Sequence, residues 1–105
     1  MKTVVVVGGG ITGVSTVHYL QRELKATNKE ARIILVERNE YLGGKIHSEY
    51  LKGFTMETGA DSIVARYPGV LELIREVEFE DELVYNETGI SYIHTNNELH
   101  AIPAG

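Results

Sequence analysis

The chain opens with four consecutive valines at positions 4–7, and this apolar run predicts a β-strand. An uninterrupted β-branched run is typical of a parallel strand that is buried on both faces. From about Ile11 to Lys25, apolar residues recur with helical spacing. The residues expected to face the sheet are Val14, Val17, Leu20 and Leu24. A polar loop then leads to a second apolar run at 32–36, so the order predicts a right-handed crossover with two parallel, neighbouring strands.

The pattern after position 36 predicts shorter elements: two strands, a helix beginning at Pro68, a short acidic helix and a hairpin. The expected ranges are 46–50, 53–57, 68–77, 78–83 and 91–102. Asn96 and Asn97 suit the hairpin turn, because asparagine tolerates a positive φ. The chain has no internal repeat.

Three glycines follow the first strand in the spacing Gly8-x-Gly10-x-x-Gly13. In a dinucleotide-binding unit the first glycine makes the turn, the second lets the backbone approach a diphosphate, and the third lets helix and strand pack closely. The diphosphate would lie at the helix N-terminus, where unpaired N–H groups attract anions. The pattern predicts a Rossmann-like βαβ unit within an α/β fold, followed by short strands, a helix and a hairpin.

Glu37 closes the second apolar run at about the distance where such units place an acidic residue to bind ribose hydroxyls. The alternative is that Glu37 merely ends a strand at the surface. Arg38 suggests a 2′-phosphate site, but the Glu37 carboxylate would repel that phosphate. Gly43 and Gly44 precede Lys45, and taken alone this pattern favours a glycine turn with a solvated lysine. Together with the first motif, it favours a role for this cation at the diphosphate.

The 105 residues are 43% hydrophobic and 24% charged, which is ordinary for a globular domain. A net charge of −5 without a basic cluster argues against nucleic acid as a partner. The absence of cysteine excludes disulfides and thiol catalysis in this segment. His94 and His100 are too isolated to predict a metal site. Neither a secretory signal nor an 18-residue apolar span is present, so we expect a cytoplasmic protein, with peripheral membrane association left open.

These motifs together resemble the N-terminus of flavin amine-oxidase-like enzymes. The resemblance rests on the first glycine turn, on 35–37, on 41–46, and on 53–54 with 57–62. Residues 86–92 and 99–103 narrow it to the bacterial protoporphyrinogen and coproporphyrinogen oxidases of haem biosynthesis. Lys45 stands where the wider superfamily usually has arginine, although the narrower family accepts lysine.

The resemblance covers the whole chain and implies FAD as the cofactor. The motifs and the resemblance give these FAD-binding candidates: Gly8, Gly9, Gly10, Ile11, Thr12, Gly13, Glu37, Arg38, Gly43, Gly44, Lys45, Gly59, Ala60, Asp61 and Ser62. Residues 1–62 would supply nucleotide-binding segments, and 63–105 would begin the substrate-side region. The closing strands and catalytic residues of the family lie downstream, so the sequence predicts an incomplete fold, which alone would be inactive and prone to associate.

Members of this family take six electrons from a porphyrinogen in three two-electron steps, pass hydride to the flavin and return electrons to oxygen. The resemblance does not determine whether the substrate is protoporphyrinogen or coproporphyrinogen. Bacterial family members with similar sequences favour coproporphyrinogen. Two other readings stay open. An amine oxidase or desaturase would share everything up to Ser62, and a non-catalytic nucleotide-binding module would keep the glycines.

Overall fold

The computed structural model describes residues 1–87 and 89–102, and within them the chain forms two compact units. The first is Met1–Ile63, and the second begins at Val64. Thr88 and Pro103, which contribute to the family resemblance, lie outside the described residues. None of the described helices is both long enough and apolar enough to cross a membrane.

The first unit contains a strand, a helix and a second strand, followed by a hairpin. The elements are β1 (Lys2–Val7), α1 (Ile11–Ala26), β2 (Ala31–Val36), β3 (Ser48–Leu51) and β4 (Phe54–Glu57). β1 and β2 pair in parallel, with Lys2 opposite Ala31 and Val7 opposite Val36. This confirms the predicted pair of neighbouring parallel strands.

β1 is covered on one face only, as expected for the incomplete fold that the sequence predicts. Val4 and Val6 are half-buried on the side of α1, whereas Val5 and Val7 are 54% and 83% exposed on the other side. Alternate residues of a strand point to opposite faces, and α1 is the only helix of this unit, so it covers one face only. The apolar run thus predicted the strand, and its open face agrees with the expectation that residues 1–105 alone leave it uncovered.

α1 ends one residue later than the spacing predicted. Thr27 closes it, since both its N–H and its hydroxyl donate to the Glu23 carbonyl, at 3.0 and 2.8 Å. Asn28 then leaves the helix with a φ of 52°. Of the predicted sheet-facing residues, Val17, Leu20 and Leu24 are half-buried, but Val14 is 39% exposed near the open N-terminal end of the helix.

The short elements agree with the sequence in kind and differ in their bounds. β3 and β4 form an antiparallel hairpin in which Leu51 pairs with Phe54, and β3 begins two residues later than predicted. In the second unit the elements are α2 (Pro68–Glu76), a 3-10 helix (Glu80–Glu82), β5 (Tyr92–Thr95) and β6 (Glu98–Ala101). β5 and β6 form the predicted hairpin, with Asn96 and Asn97 at φ values of 52° and 60°.

Candidate functional site

The first glycine turn joins β1 to α1 with very little space between them. Gly8 has a φ of 105°, which a residue with a side chain rarely adopts, and its N–H donates to the Val36 carbonyl at 2.7 Å. Gly13 lies in the first turn of α1, directly against the Gly8 carbonyl, so a Cβ at position 13 would overlap that oxygen. The geometry thus supports the roles that the spacing predicted for these two glycines: turn formation and close packing.

Gly10 combines open space beside its Cα with an ordinary negative φ of −75°. A Cβ built there meets no heavy atom within 4 Å. Gly10 is also the N-cap of α1, and within the described residues no side chain caps this helix and no acidic residue lies in its first turn. The first N–H groups of a helix have no partner within the helix, so this end of α1 is suited to an anion.

A second glycine turn packs directly on the first. The Gly43 N–H donates to the Gly9 carbonyl at 2.8 Å, and Gly10 and Gly43 form a parallel β-bridge. Gly43 and Gly44 both have positive φ, and a Cβ at Gly44 would lie 3.2 Å from the Gly10 Cα. We call this pair of turns, residues 8–13 and 43–45, the glycine cradle.

The glycine cradle lines a groove of about 570 Å³ that also includes the end of β1 and the first turns of α1. Its lining residues are Val6, Val7, Gly8, Gly10, Ile11, Thr12, Gly13, Thr16, Gly43, Gly44, Lys45 and Ile46. Lys45 is solvent-exposed and is the cation among them. The groove thus combines an uncapped helix N-terminus with one positive side chain, an arrangement that favours a phosphate group.

Glu37 lies beside the groove rather than in its lining. Its Oε1 accepts the Gly9 N–H at 2.8 Å, and its Oε2 accepts the Asn39 N–H at 2.7 Å. These bonds, first that from Asn39 and then that from Gly9, lower the pKa of Glu37, and the positive charge of Arg38 adds to the effect. The carboxylate is therefore held ionised at the end of β2, tied to the first glycine turn.

Gly9 occupies a variable position of the fingerprint and is placed differently from Gly8, Gly10 and Gly13. It is buried and absent from the groove lining, and its N–H and carbonyl are bonded to Glu37 and Gly43. Its peptide thus links the two turns to the end of β2. The family resemblance grouped Gly9 with the FAD-binding candidates, and in the structure its peptide holds the two glycine turns and the end of β2 together.

The structure does not bring the last candidate segment to the groove lining. Gly59, Ala60, Asp61 and Ser62 are exposed and follow β4 without regular structure, and Arg38 is likewise exposed outside the lining. Gly59 nevertheless packs against the backbone of Lys45: a Cβ at Gly59 would overlap the Lys45 carbonyl oxygen and lie 2.9 Å from its carbon.

Sequence reasoning missed several residues of the groove. Val6, Val7 and Ile46 flank the glycine turns, and Thr16 lies one helical turn after Thr12, with its hydroxyl donating to the Thr12 carbonyl at 2.7 Å. The signal for Thr16 was available, since residues four apart share a helix face. The role of Asn39, whose N–H binds Glu37, had no signal because it is a backbone interaction.

Comparison with known proteins gives matches along almost the whole chain. The sequence profile of the family described as flavin containing amine oxidoreductase matches residues 11–104. Coproporphyrinogen III oxidase of Bacillus subtilis (strain 168) is 38% identical, and that of Staphylococcus aureus (strain NCTC 8325 / PS 47) is 34% identical; each alignment covers 99% of this chain and 22% of the relative. The chain thus spans about a fifth of the length of these relatives.

A plant desaturase and a solved bacterial structure are also similar. The 15-cis-phytoene desaturase of Narcissus pseudonarcissus is 35% identical over 89% of this chain and 15% of its own length. A crystal structure from Exiguobacterium sp. 255-15, provisionally named a protoporphyrinogen oxidase, superimposes with a TM-score of 0.81 and 39% identity. That alignment covers 99% of this chain and 22% of the solved one.

Proposed function

This chain belongs to the flavin containing amine oxidoreductase family, and from that premise we propose that it forms the FAD-binding N-terminal part of an oxygen-dependent porphyrinogen oxidase of haem biosynthesis. FAD is the cofactor that membership of this family implies. The relatives named coproporphyrinogen III oxidase support coproporphyrinogen III as the substrate and coproporphyrin III as the product. Protoporphyrinogen IX is the alternative substrate, favoured by the name of the Exiguobacterium structure.

The observation that carries the cofactor assignment is the open space beside Gly10 at the uncapped end of α1. A diphosphate needs backbone donors that it can approach closely, and both conditions are met where the groove begins. In this proposal the N–H groups of Gly10, Ile11, Thr12 and Gly13 face the diphosphate. Lys45 lines the same groove and would offset the negative charge of the diphosphate.

Glu37 is proposed to bind the adenosine ribose. An ionised carboxylate only accepts hydrogen bonds, and each oxygen has a lone pair beyond the one used by Gly9 or Asn39. Ribose hydroxyls are donors and suit this group, whereas a 2′-phosphate would be repelled. Arg38 would then contribute its charge at the adenosine end, outside the groove lining.

The remaining candidates complete the proposed Rossmann-like site by supporting its backbone. Gly8, Gly9, Gly43 and Gly44 shape the glycine cradle. Gly59, Ala60, Asp61 and Ser62 follow β4, where Gly59 packs against the Lys45 backbone, and their proposed contacts with FAD rest on the family resemblance. When bound, the flavin supplies the two-electron acceptor for the porphyrinogen and the route for electrons to oxygen. Residues 1–62 would hold the cofactor and 63–105 would begin the substrate side, in a cytoplasmic enzyme.

Three measurements on the intact protein, meaning the full chain in which these residues occur, test this proposal. The flavin released by heating should be FAD, with its visible absorption bands present before release. Under air, coproporphyrinogen III should yield fluorescent coproporphyrin III with consumption of oxygen. A protein that lacks flavin, or that oxidises amines or carotenoid precursors but neither porphyrinogen, would contradict the proposal, and a preference for protoporphyrinogen IX would reverse the choice of substrate.

A further inference from the structure

We propose that Gly59 is a positioning residue for cofactor binding, acting through Lys45 rather than by touching the cofactor. The inference rests on the proposed function, because it concerns how the cation of that site is held. Gly59 does not line the groove, yet its backbone packs on the Lys45 carbonyl group with no room for a side chain between them.

The backbone of Lys45 is confined from two directions within the first unit. On one side, the Ile46 N–H donates to the Gly43 carbonyl at 3.0 Å and closes the second glycine turn, which the Gly43 N–H joins to the first by donating to the Gly9 carbonyl at 2.8 Å. On the other side, the start of the segment after β4 is tied to His47: both the N–H and the hydroxyl of Thr58 donate to the His47 carbonyl, at 2.9 and 3.1 Å. Gly59 follows Thr58 directly and thus lies behind Lys45.

The confinement of the Lys45 backbone affects ligand binding because the Lys45 side chain is exposed and has many rotatable bonds. A lysine ammonium is a point charge on a four-carbon stem, so the backbone sets the position from which it reaches a ligand. With an alanine at Gly59, the added methyl would meet backbone atoms of Lys45, which cannot rotate away as a flexible side chain can. Residues 45–46, which connect the second glycine turn to β3, must then shift relative to the first glycine turn.

A double-mutant cycle on the flavin-free intact protein tests the inference, with FAD affinity measured by quenching of flavin fluorescence. Lys45→Ala should weaken FAD binding by about ten- to a hundredfold, as expected when one charge-assisted contact is lost. Gly59→Ala should weaken it by about tenfold in the wild-type background and by less than about twofold in the Lys45→Ala background. Gly59→Ala should also make FAD affinity depend less on salt concentration, whereas a merely structural defect would leave that dependence unchanged.

Gly69→Ala is the matched control, because a Cβ at Gly69 meets nothing within 4 Å, and FAD affinity should stay within about twofold of wild type. If Gly59→Ala does not fold, Thr58→Val removes one of the bonds to His47 more gently, and its effect, about two- to threefold, should likewise disappear in the Lys45→Ala background. Equal losses in both backgrounds, or no loss in wild type, would overturn the role of Gly59. No loss in Lys45→Ala alone would instead refute the proposed site.

Discussion

Replacing Gly10 with valine separates cofactor binding from folding more cleanly than any other change in the first glycine turn. Gly10 has φ −75° and ψ −172°, an extended conformation that valine adopts readily. A Cβ at position 10 meets no heavy atom of the protein within 4 Å. Valine is a poorer N-cap than glycine, so the flavin-free protein should lose at most about 1 kcal/mol of unfolding free energy.

The effect on the cofactor should be much larger. A Cβ and two methyl groups would occupy the space through which the diphosphate approaches the N–H groups of the helix end. A hydrogen bond to a charged group contributes about 1.5–3 kcal/mol, so the loss of one such bond weakens binding about ten- to 150-fold. If the whole diphosphate is displaced, several bonds are lost together and the protein should be purified without flavin.

The assay is the ratio of flavin to protein absorbance in the purified intact protein, with the melting temperature of the flavin-free form measured in parallel. Gly69→Val is the control, because position 69 also has open space around it but lies in α2, outside the candidate site. Normal FAD content in Gly10→Val would refute the placement of the diphosphate. A loss of flavin accompanied by an unfolded apoprotein would refute the claim that position 10 is structurally open.

Four further outcomes are expected. Gly13→Ala should destabilise the flavin-free protein by about 1–3 kcal/mol, because its Cβ meets the Gly8 backbone while the gain in helix propensity offsets only about 1 kcal/mol; unchanged thermal unfolding would contradict this. Glu37→Ala should weaken FAD binding by at most a few kcal/mol and leave riboflavin binding unaffected in titrations, whereas equal losses would mean a purely structural role. Because the pKa of Glu37 is lowered in the folded state, its stabilisation is present above the ordinary value of 4.5 and is lost as the pH falls below it. Glu37→Gln should therefore unfold more easily at neutral pH and approach the wild type in acid melts, and a constant difference would exclude the linkage. Residues 1–105 expressed alone should associate through the exposed face that includes Val5 and Val7, and a monodisperse, cooperatively melting monomer in light scattering would count against that view.

Local sequence patterns predicted the elements of this chain and the roles of two glycines. The run at 4–7 and the spacing of Gly8 and Gly13 placed strand, turn and helix correctly, because these features depend on propensity and on contacts between near neighbours. The parallel pairing of β1 with β2 followed from the connection between them. These features arise within short stretches of chain.

The sequence pattern could not predict features that depend on packing between turns that are far apart in the chain. Nothing in the sequence showed that Gly9 would bind Glu37 and Gly43 instead of facing a ligand, or that Gly59 would lie behind Lys45. The assignment of the individual FAD contacts therefore stays a prediction.

The peptide of Gly9 gives the glycine cradle a property that amide hydrogen exchange can observe. Glycine-rich turns usually exchange quickly, but here the amides of Gly8, Gly9 and Gly43 donate to the Val36 carbonyl, the Glu37 carboxylate and the Gly9 carbonyl. These bonds form a connected series, so opening the turn at Gly9 would release the amides of Gly9 and Gly43 together. Their common exchange rate would report the integrity of the cradle before any cofactor binds, and slower exchange at Gly10 would report occupancy separately.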